Sequence, residues 1–295
     1  MPSETAGACT IEDRLTQHFE TLTPSERLLS GYMARNFPVA GLGSMTQLAK
    51  DAGVSTPTVL RLVQKLGFRG YPEFQAQLRS EVEARLESPL SKHARWADGV
   101  PQTHILNRFA NAVLTNLTAT LNRIDHADFD ACAAMLADTR RRIYVTGGRI
   151  THSLADYLVT QLGIVRPGVA ALPVNSNAWP AALLGMKPGD VLIVFDIRRY
   201  ESATLQLAEL AAEQGAEVVL FTDPWVSPIS TLALFRFSAQ IEVPSAWDSS
   251  SALLVLVETL LAAVQELNWP EAQDRMTRIE GLYERASLFR RGRAT

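Results

Sequence analysis

Cysteine is nearly absent from this chain: two residues in 295, Cys9 and Cys132. Far apart, they match no ligand or redox spacing, which excludes a disulfide framework and a thiolate zinc site and suits a reducing compartment. Long apolar runs are missing too. The most apolar stretch, Ala252–Val264, is broken by Glu258 and too short to span a bilayer, so it reads as core or oligomer interface and no membrane partner is expected. Charge of one sign is also lacking: the net charge is −3, so any surface for nucleic acid must be local. The opening MPSETAGACTIEDR has no basic segment followed by an apolar one, so no signal peptide and a cytoplasmic location are expected. Neither a GxGxxG fingerprint nor a P-loop occurs, and none of His18, His93, His104, His126 and His152 stands at metal-ligand spacing. No cofactor is expected.

What is present divides the chain by pattern. At 295 residues it is long for one core and suits two domains. Residues 1–87 read as helical throughout. Residues 88–103, SPLSKHARWADGVPQT, carry two prolines, a glycine and no sustained period, and form the linker candidate. Residues 104–295 open with a long amphipathic helix (Leu106, Phe109, Val113, Leu117, Leu121) and a second one. Apolar runs at Ile143–Thr146, Val169–Leu172, Val191–Phe195 and Val218–Thr222 then alternate with helices at Thr151–Gly163, Asn177–Gly185 and Ser202–Gln214. A fifth strand is expected near Gln240–Val243 and two terminal helices at Ser249–Leu267 and Pro270–Phe289. The fold class is therefore an all-α domain followed by an α/β three-layer sandwich with a five-stranded parallel sheet.

The first half carries a specific pattern. Thr23-Pro24-Ser25-Glu26 has capping-box spacing, and Ser44 and Gln47 repeat the cap ahead of a short helix over Met45–Asp51. In AKDAGVSTPTVLRLVQKLGF, Ala49 lets a second helix approach and Gly53 can take the positive φ of a tight turn. Val54 plugs the core, Ser55 caps the next helix, and Val59 and Leu62 face inward. This is the grammar of a helix-turn-helix, whose second helix lies in the major groove. Its outward residues are expected to be Thr56, Pro57, Thr58, Arg61, Gln64 and Lys65. Between Ser55 and Pro72 stand Arg61, Lys65 and Arg69 and no acid, although basic and acidic residues balance at nine each over Thr10–Leu90. Positive charge is thus concentrated where phosphate contact needs it. The candidate DNA-binding set is Ser44, Gln47, Ser55, Thr56, Pro57, Thr58, Arg61, Gln64, Lys65 and Arg69.

LTPSER and the string GVSTPTVLRLVQKLGFRGYPEF resemble the N-terminal domain of the RpiR/MurR family of bacterial transcription regulators, and GAEVVLFTDPWVSP resembles the same family's second half. The resemblance implies a sugar isomerase (SIS) domain after the linker. It also implies control of carbohydrate or related catabolic genes, and because one recognition helix reads only a few base pairs, a homodimer or homotetramer on a near-palindromic double-stranded operator is expected. SIS domains generally hold a sugar phosphate on two loops, approximately GxGxS and SxSGxT. Here the first loop is Gly147-Gly148-Arg149-Ile150-Thr151, with Arg149 at the second glycine and Thr151 at the serine. The second is Asp196-Ile197-Arg198-Arg199-Tyr200-Glu201, with every hydroxyl of the pattern replaced.

Three readings of these loops stay open. Arg149, Arg198 and Arg199 could bind a small anionic metabolite, with a sugar-derived acid among the options. Asp196 and Glu201 could instead pair with the arginines as a structural network or subunit contact. Third, a sugar phosphate could bind in an altered pose. The candidate effector set is Gly147, Gly148, Arg149, Thr151, Asp196, Arg198, Arg199 and Asp248; Asp248 or a neighbouring serine is also the cap candidate for the helix that follows. His152 reads as a surface residue at a helix start. The alternative from another class is a sugar-phosphate isomerase or lyase with an accessory helical domain, which needs a general base beside a phosphate-holding loop. Those hydroxyl loops are missing, so no enzyme activity is expected.

Overall fold

In the computed structural model, residues 10–36, 40–86, 92 and 104–288 are described. The expected linker, apart from residue 92, lies outside them, as does the last residue of the expected final helix. Two compact units divide the chain, Met1–Thr103 with Pro244–Trp247, and His104–Val243 with Asp248–Thr295.

The first unit is helical: α1 (Ile11–His18), α2 (Pro24–Arg35), α3 (Met45–Asp51), α4 (Thr56–Lys65) and α5 (Tyr71–Leu86). Helix α2 starts where its capping box does. The Thr23 hydroxyl accepts from the Glu26 N–H, and the Glu26 carboxylate accepts from the Thr23 N–H at 2.8 Å. Between α3 and α4, Gly53 takes φ +67°, and the Val54 N–H returns to the Ala49 carbonyl at 2.9 Å. That left-handed residue turns the chain sharply enough for Leu48, Ala49, Val59 and Leu62 to share one core with Leu29, Phe74 and Leu78.

The second unit begins with α6 (Ile105–Leu121) and α7 (His126–Ala137). There follow β1 (Ile143–Gly147), α8 (His152–Val165), β2 (Val169–Ala171), α9 (Trp179–Leu183), β3 (Val191–Phe195), α10 (Ser202–Glu213), β4 (Glu217–Thr222), β5 (Ala233–Ser238), α11 (Ser251–Leu267) and α12 (Trp269–Arg285). The sheet is parallel throughout, in the order β2-β1-β3-β4-β5. The central strand β3 is buried at every residue, as a parallel strand covered on both faces must be. Val191, Ile193 and Phe195 pack with α7, α8 and α11, while Leu192 and Val194 pack with α9 and α10. The apolar stretch Ala252–Val264 is core: Leu253, Leu256, Val257 and Leu260 pack against the sheet. No single helix among the described residues is long and apolar enough to cross a membrane.

The fifth strand departs from expectation. It is Ala233–Ser238, not Gln240–Val243. Ile241 and Val243 are fully buried, which produced their apolar alternation, but the backbone there is irregular. The true edge strand carries Arg236 and is largely half-buried, so its pattern is weak.

Candidate nucleic-acid interface and sensor site

Helix α4 presents Pro57, Arg61 and Gln64 on an exposed face, with Thr56 half-exposed beside them, while Val59, Leu62 and Val63 are buried on the opposite side. The Ser55 hydroxyl caps the helix by accepting from the Thr58 N–H. Ser44 does the same for α3 through the Gln47 N–H, and Gln47 donates its side-chain amide to Asp51 at 2.6 Å. Ser44, Gln47 and Ser55 are exposed at the starts of the two helices.

Two of the expected contacts, Thr58 and Lys65, are placed differently. Thr58 is not outward: it is buried, and its hydroxyl lies 2.9 Å from Ser55 Oγ and accepts from Arg61 at 3.2 Å. Thr58 therefore aims the Arg61 guanidinium. Lys65 is tethered inside the domain, with Nζ 2.6 Å from Glu26 Oε2 and 3.0 Å from the Thr21 carbonyl. Burial alone would raise the Glu26 carboxyl, but hydrogen bonds from Lys65 and Thr23 outweigh it and hold it below its ordinary value. Arg69 is highly exposed and paired loosely with Glu73 at 3.3 Å, a pair that anionic DNA can replace.

In the second unit, the ends of β1, β3 and β4 converge, which is where open α/β sheets hold ligands. Gly147 is required by close approach: a Cβ there would lie 2.6 Å from the Thr151 carbonyl oxygen. Thr151 is buried and donates its hydroxyl to the Phe195 carbonyl at 2.8 Å, so it ties the first loop to β3 instead of facing a ligand. Arg149 and Arg199 are exposed on the two loop rims. Arg199 occupies the glycine position of the loop pattern and keeps a glycine's backbone, with φ +67°. That left-handed arginine costs roughly 1–2 kcal/mol.

Arg198 turns inward. Its side chain is 3% exposed, Nη2 lies 3.1 Å from Glu242 and Nε 3.6 Å from Asp248, and the guanidinium stacks 3.9 Å over Trp225. It therefore belongs to the structure, and the expected cradle of three arginines is not assembled. Nor do Asp196 and Glu201 supply its ion pairs, which go to Glu242 and Asp248. Of the two kinds of cap candidate, the neighbouring serine makes the bond: Ser249 Oγ accepts from the Ser251 N–H at the start of the following helix.

Asp196 is buried, and the Ser227 hydroxyl donates to it. Burial pushes its carboxyl up to about 7, with neighbouring Asp223 and Glu201 adding to the rise and the bonds from Ser227 and the Glu201 N–H opposing it. Asp223 is fully buried at the end of β4 and is also raised, first by burial. It accepts from Tyr200 Oη at 2.7 Å, the Arg198 N–H at 2.5 Å and the Trp225 N–H at 2.9 Å. Glu201 is the residue ahead of α10, yet its carboxylate makes no cap bond to that helix. It reaches across to accept the Arg149 N–H at 2.9 Å.

Sequence reasoning missed Asp223, Ser227, Tyr200, Trp225 and Glu242. For Asp223 a signal existed: FTD ends β4 as FD ends β3. Glu242 had none, because it falls inside the segment Gln240–Val243 that was expected as a strand.

Fold and sites together define a helix-turn-helix protein carrying a sugar-isomerase-type sensor fold. A family model described as the helix-turn-helix domain of the rpiR family matches residues 9–85, and a SIS domain model matches residues 135–263. The chain thus carries an rpiR-family helix-turn-helix domain followed by a SIS domain. It is similar to the uncharacterized HTH-type transcriptional regulator YfhH of Escherichia coli, 25% identical over 71% of this chain and 74% of that one. It is also 29% identical to the bifunctional protein glk of Burkholderia thailandensis over 75% of this chain, but spans only 34% of that longer protein. Two solved structures share the fold. The sugar isomerase domain of an RpiR transcription factor from Sphaerobacter thermophilus has a TM-score of 0.55 and 23% identity, covering 59% of this chain and 97% of that one. Vibrio vulnificus NanR complexed with ManNAc-6P has a TM-score of 0.55 and 19% identity, covering 95% and 99%.

Proposed function

We propose that the chain is a sequence-specific DNA-binding transcription regulator whose activity responds to a small metabolite in the SIS domain. The observation that carries this is the α3–Gly53–α4 turn. It buries one face of α4 and leaves Thr56, Pro57, Arg61 and Gln64 turned outward, with Arg61 held by Thr58. Arg61 is the base-edge or phosphate contact, and Arg69, with Ser44, Gln47 and Ser55 at the helix starts, lies along the backbone. Lys65 serves by fixing α4 rather than by touching phosphate.

One such helix reads only a few base pairs, so the working form is a homodimer or homotetramer on a near-palindromic operator in the cytoplasm. Exposed Leu114 and Leu121 on α6 support self-association. The metabolite acts by favouring one arrangement of sensor domains over another. The protein is not an enzyme in this reading: buried Asp196 and Asp223 are occupied by internal donors, which leaves them poorly placed as general bases.

Selection of genomic fragments by the purified full chain tests the proposal, with a sugar-phosphate isomerase assay beside it. Enrichment of an inverted repeat without turnover is expected. Turnover with no enriched fragment would reverse the assignment.

A further inference from the structure

We propose that Glu201 is an internal anion seated in the anion cradle of the sensor loops, so that the site takes a neutral, hydroxyl-bearing metabolite, a free sugar or polyol, and rejects phosphate esters. This rests on the reading of the SIS domain as a sensor.

A glycine loop running into a helix N-terminus holds phosphate through open backbone N–H groups. Gly147 and Gly148 ahead of α8 have that form, but one backbone donor on each of the two loops is held by one of the chain's own carboxylates. The Arg149 N–H donates to Glu201 Oε1 at 2.9 Å, and the Arg198 N–H to Asp223 at 2.5 Å. Glu201 Oε1 also lies 3.1 Å from the point where a Cβ on Gly148 would stand, so the carboxylate fills the room that glycine leaves. The second loop has exchanged each hydroxyl for an acid or a base, and its acids point into the convergence of β1, β3 and β4.

A phosphate dianion entering here would have to displace Glu201 from Arg149 and then stand beside it. Ligand hydroxyls instead donate to a carboxylate without displacing anything, because each carboxylate oxygen accepts more than one bond. Exposed Arg149 and Arg199 offset the acids at the rim, so an ammonium ligand gains little and a neutral one fits. Glu201 is thus a specificity-determining residue of the site.

The test uses the full chain as wild type, Glu201→Gln and Glu201→Thr. Glutamine keeps the shape and removes the charge, while threonine also frees the Arg149 N–H. Calorimetric titration with inorganic phosphate, N-acetylmannosamine and N-acetylmannosamine 6-phosphate is read beside amide exchange of the peptide containing Arg149. Both variants are expected to gain at least about tenfold in phosphate affinity over wild type. Wild type is expected to disfavour the phosphorylated sugar against the free one. If threonine destabilises the fold, the glutamine variant decides alone. Phosphate affinity of wild type within about threefold of both variants overturns the proposal. A wild-type preference for the phosphorylated sugar also overturns it, but leaves the sensor reading standing. No response at these loops to any probe in any variant would sink both.

Discussion

Arg198 and Asp196 stand two residues apart at the end of β3, buried for opposite reasons. Arg198 is neutralised by Glu242 and Asp248 and covered by Trp225, so removing it takes a buried cation from two carboxylates. Arg198→Ala is expected to destabilise the sensor domain by about 2–3 kcal/mol, less than for a wholly buried pair because Glu242 stays partly exposed. Urea unfolding of the sensor-domain transition, without ligand, measures it; an unchanged midpoint would show that the pairs contribute nothing.

Among the described residues Asp196 has no cation against it, and burial pushes its carboxyl up to about 7 from an ordinary 3.8. The native state therefore binds more protons than the unfolded chain between those values. Stability falls as pH rises through that window and is lowest above it. Asp196→Asn, neutral throughout, is expected to flatten the fall and to melt higher than wild type above neutrality. Asp223, raised in the same direction, leaves a residual slope. Parallel melting curves for the two proteins from acid to mild alkali would contradict this.

Among the elements, α4 was legible because its pattern is local. Ser55, Thr58, Val59 and Leu62 obey cap and helix spacing, and Gly53 takes its turn within four residues of Ala49. Strands β1, β3 and β4 were legible because burial on both faces makes them continuous apolar runs. Edge strand β5 was not, since one exposed side dilutes its pattern. The partners of Lys65 were equally invisible, because Glu26 lies 39 positions away and only the packing of α2 on α4 brings the two together. For the same reason the loop arginines read alike in sequence, although Glu242 and Asp248 draw one of them inward.

Lys65→Ala accordingly tests an element rather than a contact. It leaves the buried Glu26 carboxylate with its cap bond alone. The expected loss is about 1 kcal/mol in the N-terminal domain, discounted because Lys65 is a third exposed. The salt slope of DNA binding should move by less than the roughly one unit that a lost phosphate contact produces. A full-unit change at unaltered stability would restore Lys65 to the DNA.

At the scale of the molecule, a reading head and a sensor share one chain, and the central claim is that α4 selects sequence. Fluorescence anisotropy at physiological salt tests it most directly, with wild type and Arg61→Ala titrated onto the enriched genomic fragment and a scrambled copy. Wild type is expected to prefer the fragment by about 10³-fold or more. If Arg61 reaches a base edge, Arg61→Ala should lose about 1–3 kcal/mol on the fragment and much less on the scramble. Equal wild-type affinity for fragment and scramble would contradict the account.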